Sequence, residues 1–209
     1  MPEFNPFAAT LNLVDRSVLV LGGGAEAEDK VVKLLGAGAR VTLVAEQVTQ
    51  ALHEQVLRGA VSWYARYFHV SDVAGVHLVM LTEQDPALGA RLRALKSEHG
   101  FWLCAIDQPS FSDVFLVSTL QRGPVQIGIS TGGDAPLLSR RLRQAFEQGL
   151  DAQFGEFARK FAVLRARLRA LPKAQRKERL EAALNGFAIE VRVSYPPQNP
   201  SGEDASGDG

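Results

Sequence analysis

The 209-residue chain has a single cysteine, Cys104, so no intrachain disulfide can form and nothing points to an oxidising compartment. It has no net charge: 23 Lys and Arg balance 23 Asp and Glu. That balance argues against a surface given over wholly to nucleic acid. No apolar run approaches the roughly 20 residues needed to span a bilayer. The opening stretch, MPEFNPFAATLNL, has no basic segment followed by a continuous apolar core, so a secretory signal is not expected. The four histidines are dispersed at positions 53, 69, 77 and 99 and form no Cys/His cluster for a tightly held metal. The expectation is a soluble cytoplasmic protein with no resident metal and neither a membrane nor a nucleic-acid partner.

What is present is a long apolar alternation. Hydrophobic residues make up 46% of the chain, enough for a substantial core. Short apolar runs at 18–21, 41–44, 61–64, 76–81 and 102–106 read as strands. Between them lie helical patterns at 26–35, 49–57 and 86–98, the last opened by Asp85 as N-cap and closed by Gly100. Strands separated by helices of this length imply βαβ units and a parallel sheet. The pattern then changes. Runs at 114–120 and 125–130 are separated at their cores only by QRGP, which predicts an antiparallel hairpin. Asp134 and Pro136 then open a helix toward Gly149. From 154 onward Phe154, Phe157, Phe161, Leu164, Leu168 and Leu171 recur at steps of three and four, an apolar stripe on a helix. Pro172 should stop or kink it, and another helix runs over 175–184. From Pro196 the composition is too polar to fold and predicts a disordered tail.

Chemistry concentrates in two places. The first is the segment SVLVLGGGAEAEDK, where Gly22, Gly24 and Ala27 fit G-x-G-x-x-G/A between a strand and a helix. Gly22 suits the tight turn, Gly24 lets backbone approach a pyrophosphate, and Ala27 lets the helix pack closely. The helix N-terminus adds unpaired N–H groups for phosphate. Gly22, Gly23, Gly24, Ala25, Ala45 and Glu46 are therefore the candidate cofactor residues. Glu46 lies near the position from which an acid would hold the ribose hydroxyls; it is equally placed as a surface acid opening the next helix. No Arg follows at that strand end to grip a 2′-phosphate, which favours NAD over NADP.

The second place is formed by CAIDQPSFSD (104–113) and RGPVQIGISTGGDAP (122–136). Asp107 ends a buried-looking strand, where a carboxylate beside a cofactor can take a proton as hydride leaves. Its other reading is an Asx turn or cap before Pro109. Asp113 reads as a weaker candidate in an ordinary loop. Ser130, Thr131, Gly132 and Gly133 form a polar turn able to bind an anion, with Arg140, Arg141 and Arg143 just beyond. Between Arg140 and Arg179 there are 12 Lys or Arg against 4 acids, a local net of +8. That segment is either a site for an anionic partner or a solvated helix face.

The GGG turn, GAGARVTLVA, AIDQP and above all RGPVQIGISTGGDAPLLSRRLR resemble the precorrin-2 dehydrogenase/sirohydrochlorin ferrochelatase family of sirohaem synthesis. The resemblance covers roughly residues 7 to 190. It implies a Rossmann-like α/β fold: a parallel-sheet NAD domain over 1–112, an antiparallel hairpin dimerisation region over 113–149, and a small helical C-terminal region over 150–195. Residues 196–209 would be the tail. It further implies a homodimer that oxidises a carboxylate-rich tetrapyrrole, precorrin-2, with NAD⁺, and in some members inserts Fe²⁺. Asp107 matches the family aspartate and Ser130 its STGG serine; Ser130, Thr131, Gly132, Arg140 and Arg141 become candidate substrate residues. The sequence departs from the family pattern at Cys104 (often Asn), Val117 (often Pro) and Asp29 (often Arg). Two other readings remain at this point: a nucleotide- or tetrapyrrole-binding module without turnover, and a dehydrogenase of another carboxylated substrate.

Overall fold

The computed structural model describes residues 7–132, 135–190 and 192–195. Gly133, Asp134 and the stretch from Pro196, expected respectively as part of the anion turn, an N-cap and a tail, lie outside the described residues.

Five strands, β1 (Ser17–Leu21), β2 (Arg40–Val44), β3 (Val61–Tyr64), β4 (Leu78–Leu81) and β5 (Trp102–Ala105), form one sheet in the order β3-β2-β1-β4-β5, and every pairing is parallel. This is the doubly wound order, and the direction of winding reverses between β1 and β4. The strands are Val- and Leu-rich without alternation because both faces are covered. Val18, Val20, Val41, Leu43 and Met80 pack on one face with Val31, Leu34 and Leu52. Those come from helices α1 (Ala25–Gly36) and α2 (Gln50–Leu57). Leu19, Leu21, Val79, Leu81 and Leu103 pack on the other face with Val73 and with Leu92 of α3 (Pro86–His99).

Asp85 and Gly100 cap α3 as expected, and Thr49 caps α2 where the sequence read it as the first helical residue. The Thr49 side chain accepts from the Leu52 N–H at 3.2 Å, and Asp85 accepts from the Leu88 N–H at 2.9 Å. Gly100 closes α3 in the left-handed region at φ +73°. No α-helix links β3 to β4; a short 3-10 turn, Val70–Val73, does so, stapled by a two-pronged Arg66–Asp72 ion pair at 2.7 and 2.8 Å. Arg66 and the His69 N–H hold the Asp72 carboxyl below its ordinary range.

Strands β6 (Ser118–Arg122) and β7 (Val125–Ile129) form the hairpin, followed by α4 (Pro136–Gly149). The sequence predicts a strand from Val114; the ladder starts at Ser118 instead. The reason is local: the amides of Asp113 and Val114 both donate to the Leu103 carbonyl, at 2.7 and 3.1 Å, and tie the chain to β5.

The chain divides into two compact units. One holds the sheet up to Leu120 together with Ile127–Glu147; the other holds Gln121–Gln126 and the residues from Gln148. In the second unit α5 (Ala152–Arg167) is capped by Asp151, runs into a 3-10 turn at Leu168–Ala170, and gives way after Pro172 to α6 (Lys173–Ala183). Phe157 stacks with Phe161 and Phe187, at centroid distances of 6.3 and 5.2 Å. No helix among the described residues is long and apolar enough to cross a membrane.

Candidate functional site

The glycine turn follows β1 at the carboxyl edge of the sheet, in the crevice between β1 and β4. Gly22 has φ +114° and donates its N–H to Val44 at 3.2 Å. A Cβ there would sit against Thr82 and Glu83 from the end of β4, and one at Gly23 would run into the Gln47 carbonyl. Both glycines are required by the protein itself. Gly24 differs: it is the N-cap of α1, and a Cβ there would meet nothing within 4 Å. No side chain caps this helix start. Open space beside uncapped N–H groups is what a bound pyrophosphate needs, so the residues present fit a dinucleotide. Ala27 is fully buried under α1, as the close-packing position demands.

Two acids sit in the first turn of α1, but each is engaged. Glu28 accepts from the Thr49 hydroxyl at 2.7 Å, and Glu26 pairs with Lys30 at 2.5 Å. Ala45 lies beside the glycine turn with its carbonyl taken by Trp63 Nε1 at 2.9 Å, so it offers a small surface and not an acceptor. Glu46 is exposed just past β2, and its carboxylate hydrogen-bonds the Tyr67 phenol, raising the phenol above its ordinary value.

A cavity of about 390 Å³ lies within the same unit. Its wall includes Asp107, Ser130 and Thr131 together with Glu26 and Lys30 from α1. Residues from the nucleotide helix, from the loop after β5 and from the turn after β7 are thus brought to one space. Asp107 is exposed and stands at φ +56°, in the left-handed region that Asp tolerates better than most residues. It caps nothing: the Pro109–Phe111 turn has Gln108 as N-cap and no side-chain cap bond. The loop is fixed by Ser112, whose hydroxyl accepts from the Ala105 N–H at 2.9 Å and lies 3.0 Å from the Ala105 carbonyl. The Asx-turn reading of Asp107 therefore loses its bond. Asp113 is structural, paired with Lys96 and accepting from the Leu103 N–H at 3.1 Å.

Ser130 accepts from the Gly132 N–H at 3.2 Å, which leaves its hydroxyl proton to donate. Gly132 itself does not line the cavity, and neither do Arg140 and Arg141, which are exposed on α4. Arg143 is bound to Glu147 at 2.5 Å.

Sequence reasoning gave no site role to Gln108, Cys104 or Lys30, which line the wall. Gln108 is buried, donates to the Glu83 carbonyl at 3.0 Å, and keeps a buried Oε1 without a partner among the described residues. Cys104 is buried on the wall; burial pushes its thiol up to about 11, against the pull of the Lys30 charge. Lys30 was visible as the residue of EAEDK that keeps the family pattern after Asp29 departs from it, without a site role. The signal for it was its spacing: four residues after Glu26 on the nucleotide helix.

Comparison with known proteins fits this geometry. The family model described as putative NAD(P)-binding matches residues 9–118, and that of the sirohaem biosynthesis protein central region matches 122–148. A sirohaem synthase of Methylococcus capsulatus is 34% identical over 185 residues, covering 88% of this chain and 39% of the relative. One of Azotobacter vinelandii is 34% identical, covering 81% and 36%. The chain thus spans about two fifths of the length of these curated relatives. Among solved structures, SirC, a precorrin-2 dehydrogenase, aligns with a TM-score of 0.69 at 23% identity, covering 85% of this chain and 88% of its own; this shows the shared fold. The order of the two matched regions along one polypeptide, nucleotide domain first and sirohaem region directly after it, makes this chain a member of the sirohaem synthase family in the part that carries the NAD(P)-binding domain.

Proposed function

We propose that this chain is an NAD-dependent dehydrogenase that oxidises precorrin-2 to sirohydrochlorin. The observation that carries the reading is the single cavity that joins Asp107, Ser130 and Thr131 to the first turns of the nucleotide helix. Gly22–Gly24 and the α1 N-terminus would hold the pyrophosphate, and Glu46 the ribose hydroxyls. NAD⁺, when bound, supplies the hydride acceptor. Two electrons leave the substrate with that hydride, and the remaining proton goes to the Asp107 carboxylate, which no other described group occupies. Ser130 and Thr131 orient the tetrapyrrole by hydrogen bonds. Gly132, Arg140 and Arg141 stand outside the cavity lining, where the two arginines can meet substrate carboxylates that extend past it.

Fe²⁺ enters this proposal as a substrate. Among the described residues no three His, Cys, Asp or Glu converge as a metal set, and the macrocycle itself brings four nitrogens. Asp107 would serve there by taking protons shed from the pyrroles. A homodimer is supported by apolar surface: no residue of α4 is buried, and Leu116, Leu137 and Leu138 are each more than half exposed. A cytoplasmic location belongs to the same reading.

The test is incubation of the purified chain with precorrin-2 and NAD⁺, following sirohydrochlorin and NADH absorbance together. Equal formation of both supports the proposal. Tetrapyrrole binding without NADH selects a non-catalytic module, and no interaction selects another carboxylated substrate.

A further inference from the structure

Helix α1 buries Ala27, Val31 and Leu34 against the sheet, and Lys30 lies beside this buried face. Its side chain is only 12% exposed, an uncommon burial for lysine. Burial alone would push the ammonium down; the hydrogen bonds it donates to Asp29 and Glu26 outweigh that and keep the group cationic. Asp29 is shared, at 2.7 Å, with Lys33, whereas Glu26 has Lys30 alone among the described residues. Lys30 and Glu26 both line the cavity that holds Asp107, Ser130 and Thr131, and the Lys30 charge is felt by the Cys104 thiol across the wall. The ammonium is therefore at the cavity wall and not merely on the outer face of α1.

Charge decides what it can do there. Among the described residues that line the cavity Lys30 is the one Lys or Arg, alongside the carboxylates of Glu26 and Asp107. A carboxylate-rich ligand entering this space meets two like charges and a single opposite one. We infer that Lys30 is a specificity-determining residue that binds a carboxylate of the tetrapyrrole, with Glu26 as the counter-ion that this carboxylate displaces. The inference rests on the dehydrogenase reading and adds to it the group that recognises the substrate's charge. Lys30 acts on binding and not on the chemical step. Hydride loss leaves the macrocycle more positive, and an ammonium nearby gives that transition state no electrostatic help.

Three variants test it, each read by steady-state kinetics and by direct fluorescence titration of sirohydrochlorin without cofactor. Lys30→Gln should raise KM for precorrin-2 and weaken sirohydrochlorin binding about tenfold, as expected for one charge-assisted hydrogen bond. Its kcat should stay within about threefold of wild type, because the effect falls on binding. NAD⁺ affinity should not change. Lys30→Arg should recover most of the loss. Glu26→Gln, which frees the ammonium, should tighten sirohydrochlorin binding. Unchanged KM and sirohydrochlorin affinity in Lys30→Gln overturn the inference while leaving a turning-over enzyme intact. A wild-type chain that does not oxidise precorrin-2 removes the parent reading and the inference together. If Lys30→Gln fails to fold, Glu26→Gln decides: weaker or equal sirohydrochlorin binding overturns the assignment and leaves Lys30 a structural ion pair.

Discussion

The sheet and the helical segment after α4 reach stability by different means. In the sheet, Leu19, Leu43, Val79 and Leu103 are wholly buried, because helices cover both faces. From Gln148 onward only Leu150, Gly155 and Leu168 are buried among the described residues, and the aromatic stripe of α5 is half covered. α4, between them, buries nothing. The sheet is complete within one chain and can hold a strained residue such as Asp107 at its edge. The proposed homodimer rests on neither region, but on the exposed Leu116, Leu137 and Leu138 before and on α4.

The largest effect should come from the sheet. Leu19→Ala removes a side chain sealed in the core and should cost about 2–5 kcal/mol in chemical denaturation. A loss under 1 kcal/mol would mean that the two-faced core is looser than described. Next is the glycine turn, where structure and ligand separate. Gly24→Asp puts a side chain and a charge into the open space, and NAD⁺ affinity should fall at least about tenfold, about 1.4 kcal/mol, with little change in Tm. Unchanged affinity in a folded variant would take the cofactor away from this turn. In the helical segment, Phe157→Ala removes a half-buried ring from the Phe161 and Phe187 stack and should cost only about 1 kcal/mol in the monomer. A loss as large as that of Leu19→Ala would erase the contrast. The smallest effect belongs to Asp107→Gly. Relief of the left-handed backbone, about 1 kcal/mol, is offset by glycine's greater chain entropy of about 0.5–1 kcal/mol. Tm should hardly move. A clear loss of stability would show that the carboxylate has a structural partner.

The fold was legible where one local signal dominates. Apolar runs gave all five sheet strands, and Asp85 and Gly100 marked helix ends because their chemistry acts within one turn. The β6 boundary was not legible, since it depends on the Leu103 carbonyl capturing two amides ten residues on. The same holds for the site. Gly22 and Gly24 announce themselves by spacing, whereas their different duties depend on Thr82 and Glu83 crowding Gly22 from the end of β4 while nothing crowds Gly24. Asp107 was readable as a candidate, but only the Ser112 bonds show that the loop does not need its side chain. Lys30 and Gln108 were hidden because their meaning is a shared cavity wall, which no local pattern encodes.

The central claim is that the Asp107 carboxylate takes the proton in a cavity beside the nucleotide turn. Its most direct test is turnover of Asp107→Asn at saturating precorrin-2 and NAD⁺, with NAD⁺ affinity measured on the same preparation. Asn keeps the size, the reach and the tolerance of left-handed backbone while removing the base. The account expects turnover to fall about 10²–10⁴-fold with NAD⁺ affinity nearly unchanged. Turnover close to wild type would contradict it, and Asp113, held by Lys96 and the Leu103 amide, is not placed to take over the role.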